Sequence, residues 1–145
     1  MHMETGKRLC EFTVAAVSNS RTLLAVKDVI SGREFLVDTG AEVSLIPATR
    51  TDRAATPAQT QRTLRAANGT SIATYGSAEM TVCFQGKRFR HHFIRANVQR
   101  ALLGADFLLK HQLLVDLPGQ QLLKADTLTP FKGVVRQAAN MALGI

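Results

Sequence analysis

The 145-residue sequence has no tryptophan, one tyrosine, two cysteines and four prolines, and aromatic residues make up only 6% of it. Cys10 and Cys83 stand apart, with no short spacing and no paired histidine. That excludes a disulfide framework and suits a reducing, cytoplasmic setting. The four histidines, His2, His91, His92 and His111, form no ligand pattern. His91 and His92 are adjacent, and neighbours on a strand point to opposite faces, so they cannot easily chelate one ion. No metal and no cofactor is expected. No apolar run is long enough to cross a bilayer, and the polar stretch from Met1 to Arg8 lacks the apolar middle of a secretion signal. Acids are scarce as well: 11 against 18 Lys and Arg, for a net charge of +7. Lys87, Arg88, Arg90, Arg95 and Arg100 lie in a stretch with no acid between Glu79 and Asp106, so contact with phosphate is physically open. With so few aromatics and no nucleic-acid motif, a solvated hairpin face is the better reading. Neither nucleic acid nor membrane is an expected partner.

What is present is a chain 46% apolar, long enough for one domain with its own core. Strand patterns dominate. They cover Glu11 to Val17, Leu23 to Val29 up to the turn at Ser31-Gly32, Arg33 to Val37, and Glu42 to Pro47. Ala48 to Thr63 is small and polar, a long surface loop with room for a helical turn. Leu64 to Tyr75 is split by Asn68-Gly69, a strong short hairpin signal because both turn positions favour positive φ. Gln85-Gly86 joins Ser77–Phe84 to Lys87–Ile94 in a second hairpin, and Pro118-Gly119 joins Leu113–Leu117 to Gln121–Lys124 in a third. Ala105 to His111 has helical spacing. From Asp126 onward strand signal is weak, and Val134 to Leu143 is expected as a weak helix or a mobile tail. Residues 1–9 are expected to lie outside the domain, 10–125 to form it, and 126–145 to be a tail or linker.

One run carries chemistry. Leu36-Val37-Asp38-Thr39-Gly40-Ala41 puts a carboxylate at the end of an apolar strand, turned by a glycine. Acid–base work on a peptide bond needs two carboxylates, one accepting a proton while the other donates. The run occurs once, so the second acid must come from another copy of the chain. Downstream, in order, follow the Asn68-Gly69 hairpin and Leu102-Leu103-Gly104-Ala105-Asp106-Phe107-Leu108 before a helix. Each feature alone is ordinary: an acid at a strand exit, an inert turn, a strand–helix junction.

Together, from Leu23 to Lys124, they resemble the retropepsins, the aspartic proteases of retroviruses and long-terminal-repeat retrotransposons, and the Gypsy-like group most of all. The resemblance implies an all-β, closed-barrel protomer with one short C-terminal helix, working as a two-fold homodimer. Asp38 and its symmetry mate would share one proton, the standard case of like charges too close for both to ionise. The ionised member would take a proton from the attacking water. The protonated one would polarise the scissile carbonyl and then protonate the leaving nitrogen.

By the same resemblance, Thr39 would hydrogen-bond across the dimer interface and Gly40 would bring its N–H close to the carboxylate. Ala41 replaces the serine of many two-lobed relatives, removing a donor, so the acid limb should be less depressed. Glu42 stands where an aspartate often contacts substrate backbone. Ala66, Ala67, Asn68, Gly69 and Thr70 would form a flap that binds extended peptide by strand addition. Leu36, Val43, Leu45 and Leu102 would line apolar side-chain pockets, and Gly104 would permit close packing behind the Asp38 loop. Asp106 is better read as a structural acid. Arg21 occupies the place of an arginine that pairs with an acid of the second subunit, here Glu42. The expected function is an aspartic endopeptidase cutting a Gag-Pol-like polyprotein, in the cytoplasm or within virus-like particles. Two rivals are a host-captured enzyme acting on cellular proteins and a catalytically idle dimerisation or peptide-binding module.

Overall fold

The computed structural model describes residues 13–14, 21–56, 62–66 and 69–138. Along them run β1 (Thr13–Val14), β2 (Arg21–Lys27), β3 (Glu34–Val37), β4 (Leu45–Pro47), α1 (Arg50–Ala55), β5 (Thr63–Ala66), β6 (Ser71–Phe84) and β7 (Lys87–Ala96). Then come β8 (Ala101–Leu103), α2 (Ala105–Lys110), β9 (Leu113–Asp116), β10 (Gln121–Lys124), β11 (Pro130–Lys132) and β12 (Val134–Ala138). Nine strands form one sheet in the order β1-β5-β6-β7-β4-β8-β3-β2-β12, curled into a half-barrel. The strands β11-β10-β9 form a second, three-stranded sheet. The all-β expectation holds.

The centre of the large sheet is buried on both faces, which is why its strands read as nearly continuous apolar runs. Period-2 alternation sorts their side chains into two cores. Leu23 and Ala25 of β2, Leu36 of β3, Leu45 of β4 and Leu102 of β8 enter the first. Their neighbours Leu24, Val26, Phe35, Val37, Ile46, Ala101 and Leu103 enter the second. The second core also takes Phe84, Phe89, Phe93, Phe107 and Phe131, in edge-on and tilted contacts with ring centroids such as Phe35–Phe93 at 5.4 Å and Phe89–Phe107 at 5.6 Å. Thus few aromatics suffice, because the phenylalanines on the described residues are pooled in one cluster.

The turns follow their residues. Gln85 and Gly86 have φ of 48° and 87°, as a two-residue hairpin between Phe84 and Lys87 requires. Asp28 ends β2 as a buried anchor. Its Oδ1 accepts from the N–H of Ile30 at 3.1 Å and of Cys83 at 2.7 Å. Its Oδ2 accepts from the N–H and hydroxyl of Ser31 at 3.1 and 2.7 Å. Burial alone would push this carboxyl up. The Ser31 hydroxyl and the three N–H groups outweigh it and hold the pKa below the usual range.

Several expectations change. The strand expected over Glu42–Pro47 begins only at Leu45. The polar stretch after Ala48 starts with a true helix, α1, closed by a capping box: Thr49 Oγ1 accepts from Asp52 N, and Asp52 Oδ2 accepts from Thr49 N. Over its described residues, the stretch from Val134 is a strand and not a helix. β12 pairs antiparallel with β2, Val134 opposite Ala25 through Ala138 opposite Arg21, and residues 139–145 lie outside the described residues. Gly133 makes that approach possible, since a Cβ there would sit 2.2 Å from the Ala25 carbonyl oxygen. Of Glu11–Val17 only Thr13–Val14 is described, paired parallel to β5.

Asp28→Ala is expected to lower the unfolding free energy by about 2–3 kcal/mol, because it strips the acceptor from three N–H groups and a hydroxyl at once. Chemical denaturation of the two proteins at neutral pH measures it.

Candidate active site

β3 ends at Val37, and Asp38 keeps the parity of Leu36, so it faces the first core. Its N–H donates to the Leu103 carbonyl of β8 at 2.9 Å, which ties the loop to the parallel neighbour of β3. The Asp38 side chain is 0% exposed. Its Oδ1 accepts from Gly40 N at 3.0 Å and meets Arg21 Nη1 at 3.4 Å, a contact long for a hydrogen bond. Its Oδ2 is buried and has no partner among the described residues. Burial pushes the carboxyl above the ordinary aspartate range, and the Arg21 charge and the Gly40 N–H only partly oppose it.

Thr39 and Gly40 form the exposed tip of the loop, with Glu42 exposed just beyond. Behind the loop lies Gly104. A Cβ on it would fall 2.5 Å from the Val43 carbonyl oxygen and 2.8 Å from that of Ala41. Ala105 N donates to that Ala41 oxygen at 2.7 Å. The close packing expected at Gly104 is present, and it is backbone against backbone.

The β5–β6 hairpin covers this side of the sheet. Leu64, Ala66 and Ile72 pack in the same core as Ala41 and Leu36. Ala66 N donates to Thr70 O at 2.8 Å and Gly69, at φ 90°, donates to Ala66 O at 2.9 Å. Ala67 and Asn68 lie outside the described residues. Leu36, Ala41, Leu45, Ala66 and Leu102, expected at substrate pockets, are each no more than 2% exposed, with Val43 half-buried against them. In the single chain these residues are packed core, not open lining. Apolar character near Asp38 could not separate the two roles, because this part of the sheet is covered on both faces.

Two features escaped the sequence reading. Arg21, expected to pair with an acid of a second copy, meets Asp38 within its own chain. The other is a buried polar chain behind the loop. Asp106 Oδ1 accepts from Ser44 Oγ at 2.7 Å and from Phe107 N at 2.7 Å. Its Oδ2 accepts from Ser44 N at 3.2 Å and meets His91 Nε2 at 2.9 Å. Ser44 Oγ in turn accepts from Gly104 N at 2.9 Å. Burial pushes the Asp106 carboxyl up, yet the His91 and Ser44 hydrogen bonds win and hold it below its usual range. Asp106 is thus a structural acid, as expected. Its partner His91 could have been suspected as the inward member of a His-His pair on a strand; His91 is buried and His92 exposed.

The sequence of residues 30–110, more than half of the chain, matches the model of the gag-polyprotein aspartyl protease family. The chain belongs to that family. Its fold is similar to the crystal structure of the retroviral protease-like domain of Ddi1 from Leishmania major. The TM-score is 0.57 and the identity 19%, over 79% of this chain and 95% of that one. A comparison with curated proteins gives no significant match. Among the described residues no group of histidine, cysteine and acidic side chains could hold a metal ion.

Two outcomes follow from this geometry. A carboxyl whose pKa is raised on folding loses stability as pH climbs from the unfolded value through the folded one. Asp38→Asn should therefore melt at a higher temperature than the native chain at pH 7, with the gap closing below the ordinary aspartate range. Thermal scans across pH, at matched oligomeric state, read this directly. Gly104→Ala should cost on the order of 3 kcal/mol, since neither carbonyl can retreat without moving the Asp38 loop; denaturant midpoints test it.

Proposed function

We propose that the protein is an aspartic endopeptidase of the retropepsin type, in which Asp38 of two copies shares one proton and activates a water against an extended peptide. The observation that carries this reading is Asp38 itself: fully buried, held by Gly40 on one oxygen, and with the other oxygen bare. A buried carboxylate with an unpaired oxygen is costly as a structural device. It is suited to receive a second carboxyl and a water between them.

The raised pKa of Asp38 favours the protonated form that one member of such a dyad needs. The exposed Thr39-Gly40 tip is the surface a second copy would meet. The β5–β6 hairpin, packed over the Asp38 side, is placed to act as the flap, and its opening would give peptide side chains access to Val43, Leu45 and Leu102. Membership of a gag-polyprotein family supports a polyprotein as substrate and the cytoplasm or a virus-like particle as the place of action. The likeness to a domain of Ddi1 supports a second reading, the same chemistry turned on cellular proteins.

Digestion of a peptide library between about pH 4 and 7, with the native protein beside Asp38→Asn, tests the assignment. Cleavage should vanish in the variant, and native specific activity should fall on dilution as the dimer dissociates. Cleavage that persists in Asp38→Asn would refute the catalytic role. A demonstrated dimer that cuts nothing would point to a peptide-binding module.

A further inference from the structure

His91 is an odd residue for its place. It lies on β7, 6% exposed, with its ring boxed by Phe93, Phe107 and His111 at centroid distances of 5.3, 5.1 and 5.9 Å. Its Nε2 lies 2.9 Å from Asp106 Oδ2, while its Nδ1 is buried with no partner. As core filling, imidazole is worse than phenylalanine, because it buries a polar nitrogen that nothing satisfies. The arrangement makes sense through the one bond the ring does form. That bond joins Nε2 to the Asp106 carboxylate and sets the orientation of both side chains.

From Asp106 the connection runs directly to the Asp38 loop. Asp106 holds Ser44 by both its N–H and its hydroxyl, and the Ser44 hydroxyl oxygen holds Gly104. Gly104 lies against the Ala41 and Val43 carbonyls. The loop from 38 to 44 is therefore pinned at its start by Leu103 and at its end by Ser44. Without His91, Asp106 keeps its bonds to Ser44 and Phe107 but loses the only side chain that fixes it from the β7 side among the described contacts.

We propose that His91 is a positioning residue for the active-site loop: by orienting Asp106 it fixes Ser44, and through Ser44 the placement of Asp38. Its kinetic consequence rests on the aspartic-protease reading above; its structural consequence does not. Displacing reacting groups by about 1 Å is enough to slow a reaction on the order of a hundredfold, so a loosened loop should tell mainly in turnover.

The experiment compares the native chain with His91→Phe, His91→Gln, Ser44→Ala and Phe93→Leu. Glutamine carries an amide N–H at about the reach of Nε2, whereas phenylalanine fills the box without a donor. Phe93→Leu loosens the same box without touching Asp106. In peptide cleavage, His91→Phe and Ser44→Ala should lower kcat about tenfold to a hundredfold with KM within about twofold, and His91→Gln should recover most of it. Amide exchange at Gly40 and Ala41 should quicken in the same two variants and stay near native in His91→Gln and Phe93→Leu. Native kcat and native exchange in His91→Phe would overturn the proposal. So would a Phe93→Leu protein that loses as much kcat at the same loss of melting temperature. If His91→Phe does not fold, His91→Met, about the size of glutamine but without a donor, makes the same comparison against His91→Gln. If the native chain cleaves nothing, the protease reading falls by itself, and the exchange rates still decide whether His91 holds the loop.

Discussion

Burying the Asp38 carboxylate sets the terms for everything around it. A charge removed from water needs hydrogen bonds, an opposite charge or a proton. Here the backbone supplies one N–H from Gly40, Arg21 approaches to 3.4 Å, and burial still outweighs both, raising the pKa above the ordinary aspartate range. Such a group keeps its place only if the loop carrying it cannot relax. The loop is accordingly over-determined. Asp38 N is bonded to Leu103, Ala41 O to Ala105, Ser44 to Asp106, and Gly104 is pressed against two carbonyls.

That rigidity comes from sheet architecture. β3 runs parallel to β8, and β4 lies parallel to β7 on its other side. Parallel pairing of β3 with β8 brings Asp38 beside Leu103, and the antiparallel contact of β4 with β8, Leu45 opposite Leu102, brings Ser44 beside Asp106. Alternation then gives each central strand a side chain for either core. The apolar sequences flanking Asp38 thus build two walls at once, and the aromatic core behind β3 and β8 stiffens the one that carries the acid.

Much of this was legible in the residues. Asp38-Thr39-Gly40 after an apolar strand, the three hairpins and the glycine before α2 are local signals, and each lies where local chemistry put it. The capping box at Thr49 and Asp52 was equally local and went unread, because a short helix of polar residues lacks an apolar stripe to announce it. β12 was illegible for a different reason. Its strand character comes from pairing with β2, across most of the chain, and from the fit of Gly133 against Ala25. The Ser44–Asp106–His91 chain is likewise tertiary. It joins three elements, and nothing in the spacing of those residues distinguishes a shared carboxylate from three unrelated polar side chains.

Arg21 shows how distance decides between electrostatic effects. A guanidinium against a carboxylate in good bidentate geometry would hold the acid well ionised. At 3.4 Å, through one nitrogen and with its side chain 31% exposed, Arg21 is screened by water and loses to the burial of its partner. The single chain therefore already holds Asp38 toward the protonated state. A second carboxylate brought to the bare Oδ2 would add like-charge repulsion in the same direction, so that one proton is retained between the two.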